Sequence, residues 1–237
     1  MLDSDIETQR ILAVDDNSFT LRIVQHTLEQ AGFQVTTAVS GKDALKYINR
    51  HGIPHLAIVD LHMPVMSGFE FCHAVREFSD MPIIMLTAVN SEDTIIQSIE
   101  QYAEDYIIKP FNPNELVARV KRVLRRMGDY TYTLDSTTRI DDRLMVNFPN
   151  REALVEGESV SLTPTETKLL YILVRNAGRI VTTEFLLNRI WPLQDAQEDR
   201  LHVHVHRLRR KIEVEPNEPG YIIAERGIGY RFSATPE

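Results

Sequence analysis

Residues 11–16 read Ile-Leu-Ala-Val-Asp-Asp (ILAVDD), an apolar run that stops on two adjacent carboxylates. Three further runs share the form, Leu56–Val59, Ile83–Leu86 and Tyr106–Ile108, and Gln34–Ala38 reads as a fifth strand. Apolar runs this short that alternate with helix-like segments read as buried parallel strands. The intervening segments fit helices over about Ser18–Ala31, Gly41–Arg50, Gly68–Phe78, Ser91–Tyr102 and Pro113–Arg126. Gly32 and Gly52 sit where helices stop, and Ser18, Ser67 and Ser91 where they start. Five such alternations predict a doubly wound α/β domain with a five-stranded parallel sheet. Strand carboxyl ends share one edge of such a sheet, and ligands bind there. Asp15, Asp16, Asp60, Thr87 and Lys109 all follow these runs. Three carboxylates, a hydroxyl and an ammonium are therefore expected to converge.

Carboxylates held close repel unless a cation or a proton intervenes. Oxygen donors of this kind suit Mg²⁺, which uses one or two carboxylates together with water and phosphate. Asp60 is then either a metal ligand only or a nucleophile, since carboxylates do accept phosphoryl groups. In the second case Lys109 neutralises phosphoryl oxygens and Thr87 donates a hydrogen bond to one. His62 and Val89 each lie two residues beyond Asp60 and Thr87, on the expected path of attacking water.

After residue 127 the alternation ends. Gly128–Asp135 is polar and rich in Thr and Tyr, a linker or first edge strand. Ile140–Leu162 shows short alternating strands with turns at Pro149-Asn150 and Glu156-Gly157-Glu158. Thr163-Pro164-Thr165-Glu166 then carries a capping Thr, a Pro at the first helical position and a Glu three residues after the cap. Helices are predicted from there, over Thr183–Ile190 and over Arg200–Val214, before a hairpin of Tyr221–Ala224 and Tyr230–Phe232. This order predicts a winged helix-turn-helix. The boundaries are 1–127, a linker at 128–137, and 138–237.

On a wheel of about 100° per residue, Leu201, Val205, Leu208 and Ile212 form one stripe. Val203, His206, Arg207 and Arg210 fall opposite, with Arg200, His202 and Arg209 on a flank. An outward face rich in Arg suits the DNA major groove. His202, His204 and His206 do not share a helical face, which argues against zinc. His202 and His206 also raise the prospect of pH-sensitive binding.

Bulk properties narrow the class. The chain has 237 residues, 43% apolar and 25% charged, and a formal charge of −8. No stretch has the length and apolarity of a membrane span. The acidic start (Asp3, Asp5, Glu7) lacks the features of a signal peptide, and the single cysteine, Cys72, fits a reducing compartment, so the cytoplasm is expected.

The motifs together resemble a known family. Ile11–Asp16, Asp60–Gly68 (DLHMPVMSG), Leu86-Thr87-Ala88 and Asp105–Phe111 (DYIIKPF) are similar to the receiver domain of two-component response regulators. Leu162–Glu166 (LTPTE), Arg207–Lys211 (RLRRK) and Arg226–Phe232 (RGIGYRF) resemble the winged-helix effector domain of the OmpR/PhoB type. The resemblance implies that Asp60 accepts phosphate from the histidine of a sensor kinase. It also implies that Asp15, Asp16, Asp60 and the Met63 carbonyl hold Mg²⁺, that Thr87 and Tyr106 act as a switch, and that the Lys109-Pro110 bond is cis. In the second half it implies a recognition helix over Arg200–Val214 and a wing that places Arg226 in the minor groove. Contact with RNA polymerase is implied for the loop after Trp191, although core packing is the simpler role of Trp191 itself. Activated receivers of this family form homodimers, and Glu100 with Lys121 and Asp105 (or Glu104) with Arg119 are the pairs available across a two-fold axis. Gln97, Tyr102, His202 and His206 depart from the family pattern. No enzymatic activity is implied beyond gain and loss of phosphate at Asp60. A Mg²⁺-dependent phosphatase and a regulator that needs no phosphorylation are the other classes open to this sequence.

Overall fold

In the computed structural model, residues 9–88, 103–126, 137–191, 197–234 and 236 are described. The predicted helix over Ser91–Tyr102, and with it Val89, Gln97, Glu100 and Tyr102, lies outside them, as does nearly all of the predicted linker. The chain divides into two compact units.

The first half of the chain holds β1 (Arg10–Val14), α1 (Ser18–Gln30), β2 (Gln34–Ala38), α2 (Gly41–His51), β3 (Leu56–Asp60), α3 (Gly68–Arg76), β4 (Ile83–Ala88), β5 (Asp105–Lys109) and α4 (Pro113–Arg126). Its sheet is parallel, in the order β2-β1-β3-β4-β5. Order reverses beside β1, so a crevice opens at the carboxyl ends of β1 and β3, as expected for doubly wound sheets. β3 is buried along its whole length because helices cover both faces. Ile11, Ala13, Leu56, Ile58, Ile84 and Leu86 form a core with Leu21, Val24 and Leu28 of α1 and Leu116, Val120 and Val123 of α4.

The strands outrun the apolar runs that betray them. β3, β4 and β5 extend to Asp60, Ala88 and Lys109, because backbone pairing continues where the side chains turn polar. Ser18 does not cap α1; the preceding Asn17 does, its Oδ1 accepting from the Phe19 and Thr20 amides. Ser67 does cap α3, in a reciprocal exchange with Glu70. Gly32 and Gly52 both take positive φ (92° and 81°), the left-handed turn that stops a helix.

The carboxy-terminal unit begins with an antiparallel sheet, β6 (Thr138–Arg139), β7 (Leu144–Asn147), β8 (Glu152–Val155) and β9 (Glu158–Ser161). Three helices follow: α5 (Pro164–Arg175), α6 (Thr183–Ile190) and α7 (Glu198–Ile212). Thr163 and Glu166 close the capping box foreseen from the sequence. A second sheet, in the order β10-β12-β11, joins the terminal hairpin β11 (Ile222–Glu225) and β12 (Gly229–Phe232) to β10 (Ile180–Thr182). This third strand was not predicted; three residues with alternating burial carry too little pattern. Leu201, Val205, Leu208 and Ile212 of α7 are buried in the core shared with Leu169, Leu170 and Leu173 of α5 and Phe232 of β12. The α7 boundary differs from the expected Arg200–Val214 by two residues at each end, Glu198 and Asp199 forming an acidic first turn.

At Gly229 the hairpin passes so close to β10 that an added Cβ would fall 2.0 Å from the Val181 carbonyl oxygen and 2.8 Å from the Thr182 Cα. Backbone cannot yield as a side chain can. Gly229→Ala is expected to destabilise the carboxy-terminal unit by about 1–3 kcal/mol, the range for forced overpacking. Urea denaturation followed by the fluorescence of Trp191, the single tryptophan, reads this directly.

Candidate functional site

Asp15 follows β1, and Asp60 and Lys109 end β3 and β5, so all three reach the carboxyl edge of the sheet. The Lys109 Nζ lies 2.7 Å from Asp15 Oδ2 and 2.5 Å from Asp60 Oδ1. Carboxylate oxygens of Asp15, Asp16 and Asp60 lie within 4.8 Å of one another. Asp15 and Asp60 are buried (1% and 6% exposed), while Asp16 faces solvent. One ammonium thus bridges two buried carboxylates, and the third stands at the mouth.

The loops fix this geometry. Asp15 Oδ1 accepts from the Asn17 amide at 2.8 Å, which ties it to the cap of α1. Beyond Asp60 the chain turns back so that the Gly68 amide donates to the Leu61 carbonyl at 3.0 Å. A Cβ at Gly68 would stand 2.4 Å from the Asp60 carbonyl oxygen, so only glycine permits the return. Neither Asn17 nor Gly68 was singled out as part of the site, although an Asn one residue before a helical run and a Gly at its start were visible signals. Met63 lies in this loop. Thr87 is buried on β4, next to β3, and the Lys109-Pro110 bond is cis. Tyr106 on β5 is 44% exposed and so turned outward.

Burial pushes the Asp60 carboxyl above its ordinary range, opposed by the Lys109 hydrogen bond and charge and reinforced by Asp15 and Asp16. Burial also works against the Lys109 charge, but hydrogen bonds from its ammonium to Asp15 and Asp60 outweigh it and raise the group overall. The pocket is over-supplied with negative charge that Lys109 offsets only in part.

The carboxy-terminal unit presents a second candidate surface. Arg200, His202, Val203, His206, Arg207 and Arg210 are all exposed on α7, as the wheel predicted. Arg209 is not available: its Nε and Nη2 donate to the Ile222 carbonyl at 3.1 and 2.6 Å, fastening the hairpin to the helix. Lys211 is likewise turned inward, to Glu166 at 2.7 Å. The Arg200 guanidinium lies 4.6 Å over the buried Trp191 ring, which bears out core packing for Trp191. Arg226 is exposed in the turn between β11 and β12. Residues 192–196, the loop assigned to polymerase contact, lie outside the described residues.

Within the single chain, Asp105 and Arg119 of the expected dimer pairs already have partners. Arg119 pairs inside its own chain, with Asp105 at 3.0 Å and with Glu115 at 2.7 Å, because a turn of α4 places it over the start of β5. Arg122 reaches the same Asp105. Lys121 is exposed, and its expected partner Glu100 is outside the described residues.

Comparison with known proteins decides the family. The response regulator receiver domain matches residues 11–121, and the transcriptional regulatory protein C-terminal domain matches 157–232. MtrA of Mycobacterium leprae, a DNA-binding response regulator, is 37% identical over 224 residues, covering 94% of this chain and 97% of MtrA. This chain belongs to the OmpR/PhoB-type response regulators. Another relative is ycf27 of Cyanophora paradoxa, a probable transcriptional regulator, 35% identical over 98% of this chain and 99% of its own length. Among solved structures, the response regulator DrrB of Thermotoga maritima, an OmpR/PhoB homologue, is 32% identical and covers 95% of this chain and 99% of its own (TM-score 0.46). Receiver domains generally bind Mg²⁺ at an acidic pocket, and the three clustered carboxylates are hard oxygen donors of the right kind. Among the described residues no helix is long and apolar enough to cross a membrane.

Lys109→Met removes the cation that bridges Asp15 and Asp60. The variant is expected to lose about 3 kcal/mol of stability at pH 7.5 without added divalent ions, as when one partner of a buried pair is removed. Asp60 has a raised folded-state pKa, so its ionised form opposes folding, and protonation relieves this as pH falls. Lys109 stays charged throughout that range. The deficit should therefore shrink between pH 7.5 and pH 5, read by denaturant titration with far-ultraviolet circular dichroism.

Proposed function

We propose that Asp60 is the phosphoacceptor of a Mg²⁺-dependent transfer from the histidine of a sensor kinase, and that its phosphorylation promotes receiver dimerisation and sequence-specific DNA binding. The observation that carries this reading is the Lys109 ammonium set between Asp15 and Asp60 beside a third carboxylate. Asp15, Asp16, Asp60 and the Met63 carbonyl would hold the Mg²⁺. Bound there, the ion supplies charge neutralisation and orientation for the phosphoryl group.

The remaining steps belong to the chain. An Asp60 carboxylate oxygen attacks phosphorus, the P–N bond to the kinase imidazole breaks, and an acyl phosphate forms. Lys109 exchanges a carboxylate partner for a phosphoryl oxygen, so its charge is used before and after transfer. The Thr87 hydroxyl donates to another phosphoryl oxygen, and Tyr106 follows from its outward position into the space vacated. The receiver gains and loses phosphate without turning over a separate substrate. Exchange of the Asp105–Arg119 pair from within one chain to across a homodimer would leave charge pairing nearly constant, so other contacts decide when receivers associate. Glu100 with Lys121 is the second such pair.

On duplex DNA, α7 enters the major groove with Val203 and Arg210 toward base edges, Arg200 and Arg207 along one side and His202 and His206 along the other. Arg226 reaches from the wing into the minor groove. The loop after Trp191 contacts RNA polymerase. The chain works in the cytoplasm, with kinase, DNA and a second copy as partners.

Incubation with Mg²⁺ and acetyl phosphate is expected to add one phosphoryl group, seen by mass spectrometry and lost in Asp60→Asn. Continuous phosphate release in excess of protein would instead indicate a phosphatase, and no modification with DNA binding intact would indicate a regulator that needs no phosphate. For DNA, Arg207→Ala is expected to weaken binding by about 1–3 kcal/mol without altering thermal stability. Arg209→Ala should do the reverse in kind, lowering the melting temperature because it unfastens the hairpin.

A further inference from the structure

The three histidines of α7 occupy three different settings. The His204 ring lies against Trp191, with centroids 5.4 Å apart, and its Nδ1 is buried without a hydrogen-bond partner among the described residues. Burial, then the charges of Arg207 and Arg200, hold its pKa below the ordinary range, so it packs as a neutral ring. His202 and His206 are exposed and make no hydrogen bond or ion pair among the described residues.

Their position on the helix is what matters. Measured from Leu201 at about 100° per residue, the buried stripe centres near the origin, while Val203 and Arg210 lie at about 180–200°, the middle of the exposed face. Arg200 and Arg207 form one flank, at about 240–260°, and His202 and His206 the other, at about 100–140°. A helix is about as wide as the major groove, so its flanks meet the two phosphate backbones while its middle meets the bases. One flank therefore carries permanent positive charge. The other carries imidazoles one helical turn apart, with no fixed cation free to serve there, since Arg209 is spent on the Ile222 carbonyl.

We propose that His202 and His206 bind backbone phosphates as imidazolium donors, each taking up a proton from solvent when the duplex docks. This rests on the reading of α7 as the recognition helix. The groups around them permit it. Near His202 stand Glu198, Asp199 and His206 on α7 and the Tyr230 ring of β12 at 6.3 Å. Burial raises the Tyr230 phenol, so it stays uncharged. Near His206 stand Arg207, Arg209 and Arg210 on α7. On the wing, Glu225 is paired with Arg231 at 2.9 Å and leaves Arg226 as the unpaired charge of the turn. Proton uptake on binding makes affinity rise as pH falls through the histidine range.

The test uses the full chain and a duplex that it selects from a random-sequence pool at pH 7. Fluorescence anisotropy should show binding about fivefold tighter per histidine at pH 6 than at pH 8, for a one-unit rise in each proton affinity. The dependence of log K on log salt should be steeper at pH 6 by up to about two, one phosphate per imidazolium. His202→Asn and His206→Asn should each remove part of the pH effect, and the double variant nearly all of it. A wild-type affinity flat between pH 6 and pH 8, or a pH effect undiminished in both single variants, overturns the proposal. If the wild type binds and Arg207→Ala binds equally well, the recognition-helix reading itself fails, whatever the pH dependence.

Discussion

The bridge from Lys109 to Asp15 and Asp60 sets the terms for the receiver. Three strands must end together for it to form, because β1, β3 and β5 each bring one of its members to the same edge of the sheet. Asp15 and Asp60 are buried side by side, an arrangement that would drive the loops apart without a cation. The ammonium compensates one of two buried charges and leaves the third carboxylate, Asp16, at the mouth. Such a pocket is stable enough to exist and still short of positive charge. It is therefore disposed to take a hard divalent ion and, with it, an anionic group. The Gly68 turn and the Asn17 cap belong to the same constraint, since both hold the loops that carry the carboxylates.

The effector obeys a related economy of cations. Of the basic residues at the end of α7, Arg209 and Lys211 are spent inside the fold, on the Ile222 carbonyl and on Glu166. Arg207 and Arg210 are left outside. A basic run is thus two populations that sequence position does not separate but the helical period does. The inward pair fixes the helix to the hairpin and to α5, so that the outward pair is presented on a rigid support. This is why Arg209→Ala and Arg207→Ala should differ in kind.

How far the sequence could be read follows from which interactions are periodic. β1, β3 and β4 were legible because burial along them makes continuous apolar runs, while β2, only partly buried, was read from its place in the alternation with helices; the site was legible because its residues lie where apolar runs stop. The extension of β3, β4 and β5 to Asp60, Ala88 and Lys109 was not, since backbone pairing ignores the change in polarity. The outward face of α7 was legible from the 3.6-residue period. β10 was missed because three residues hold less than two periods of alternation. The partners of Arg119 inside its own chain were not read, because charge in a sequence does not say whether its match lies in the same chain. Here Glu115, one turn back along α4, and Asp105, at the head of the neighbouring strand, were already within reach.

That self-pairing bears on how the receiver is switched. A monomer whose interface charges were unsatisfied would associate whether or not it carried phosphate. With Arg119 and Arg122 gathered on Asp105, whose side chain is mostly covered, the charges at the head of β5 are already satisfied within one chain. The balance is then open to small packing changes on the same face. Tyr106 adjoins Asp105 on β5 and is 44% exposed, so its inward turn would alter the apolar surface beside the ion pairs. Burying that ring is worth about as much as the pairs themselves. Under the proposed function, a phosphoryl group that draws Thr87 and Tyr106 toward Asp60 would act on this surface through packing, leaving the pairing of Asp105 in place.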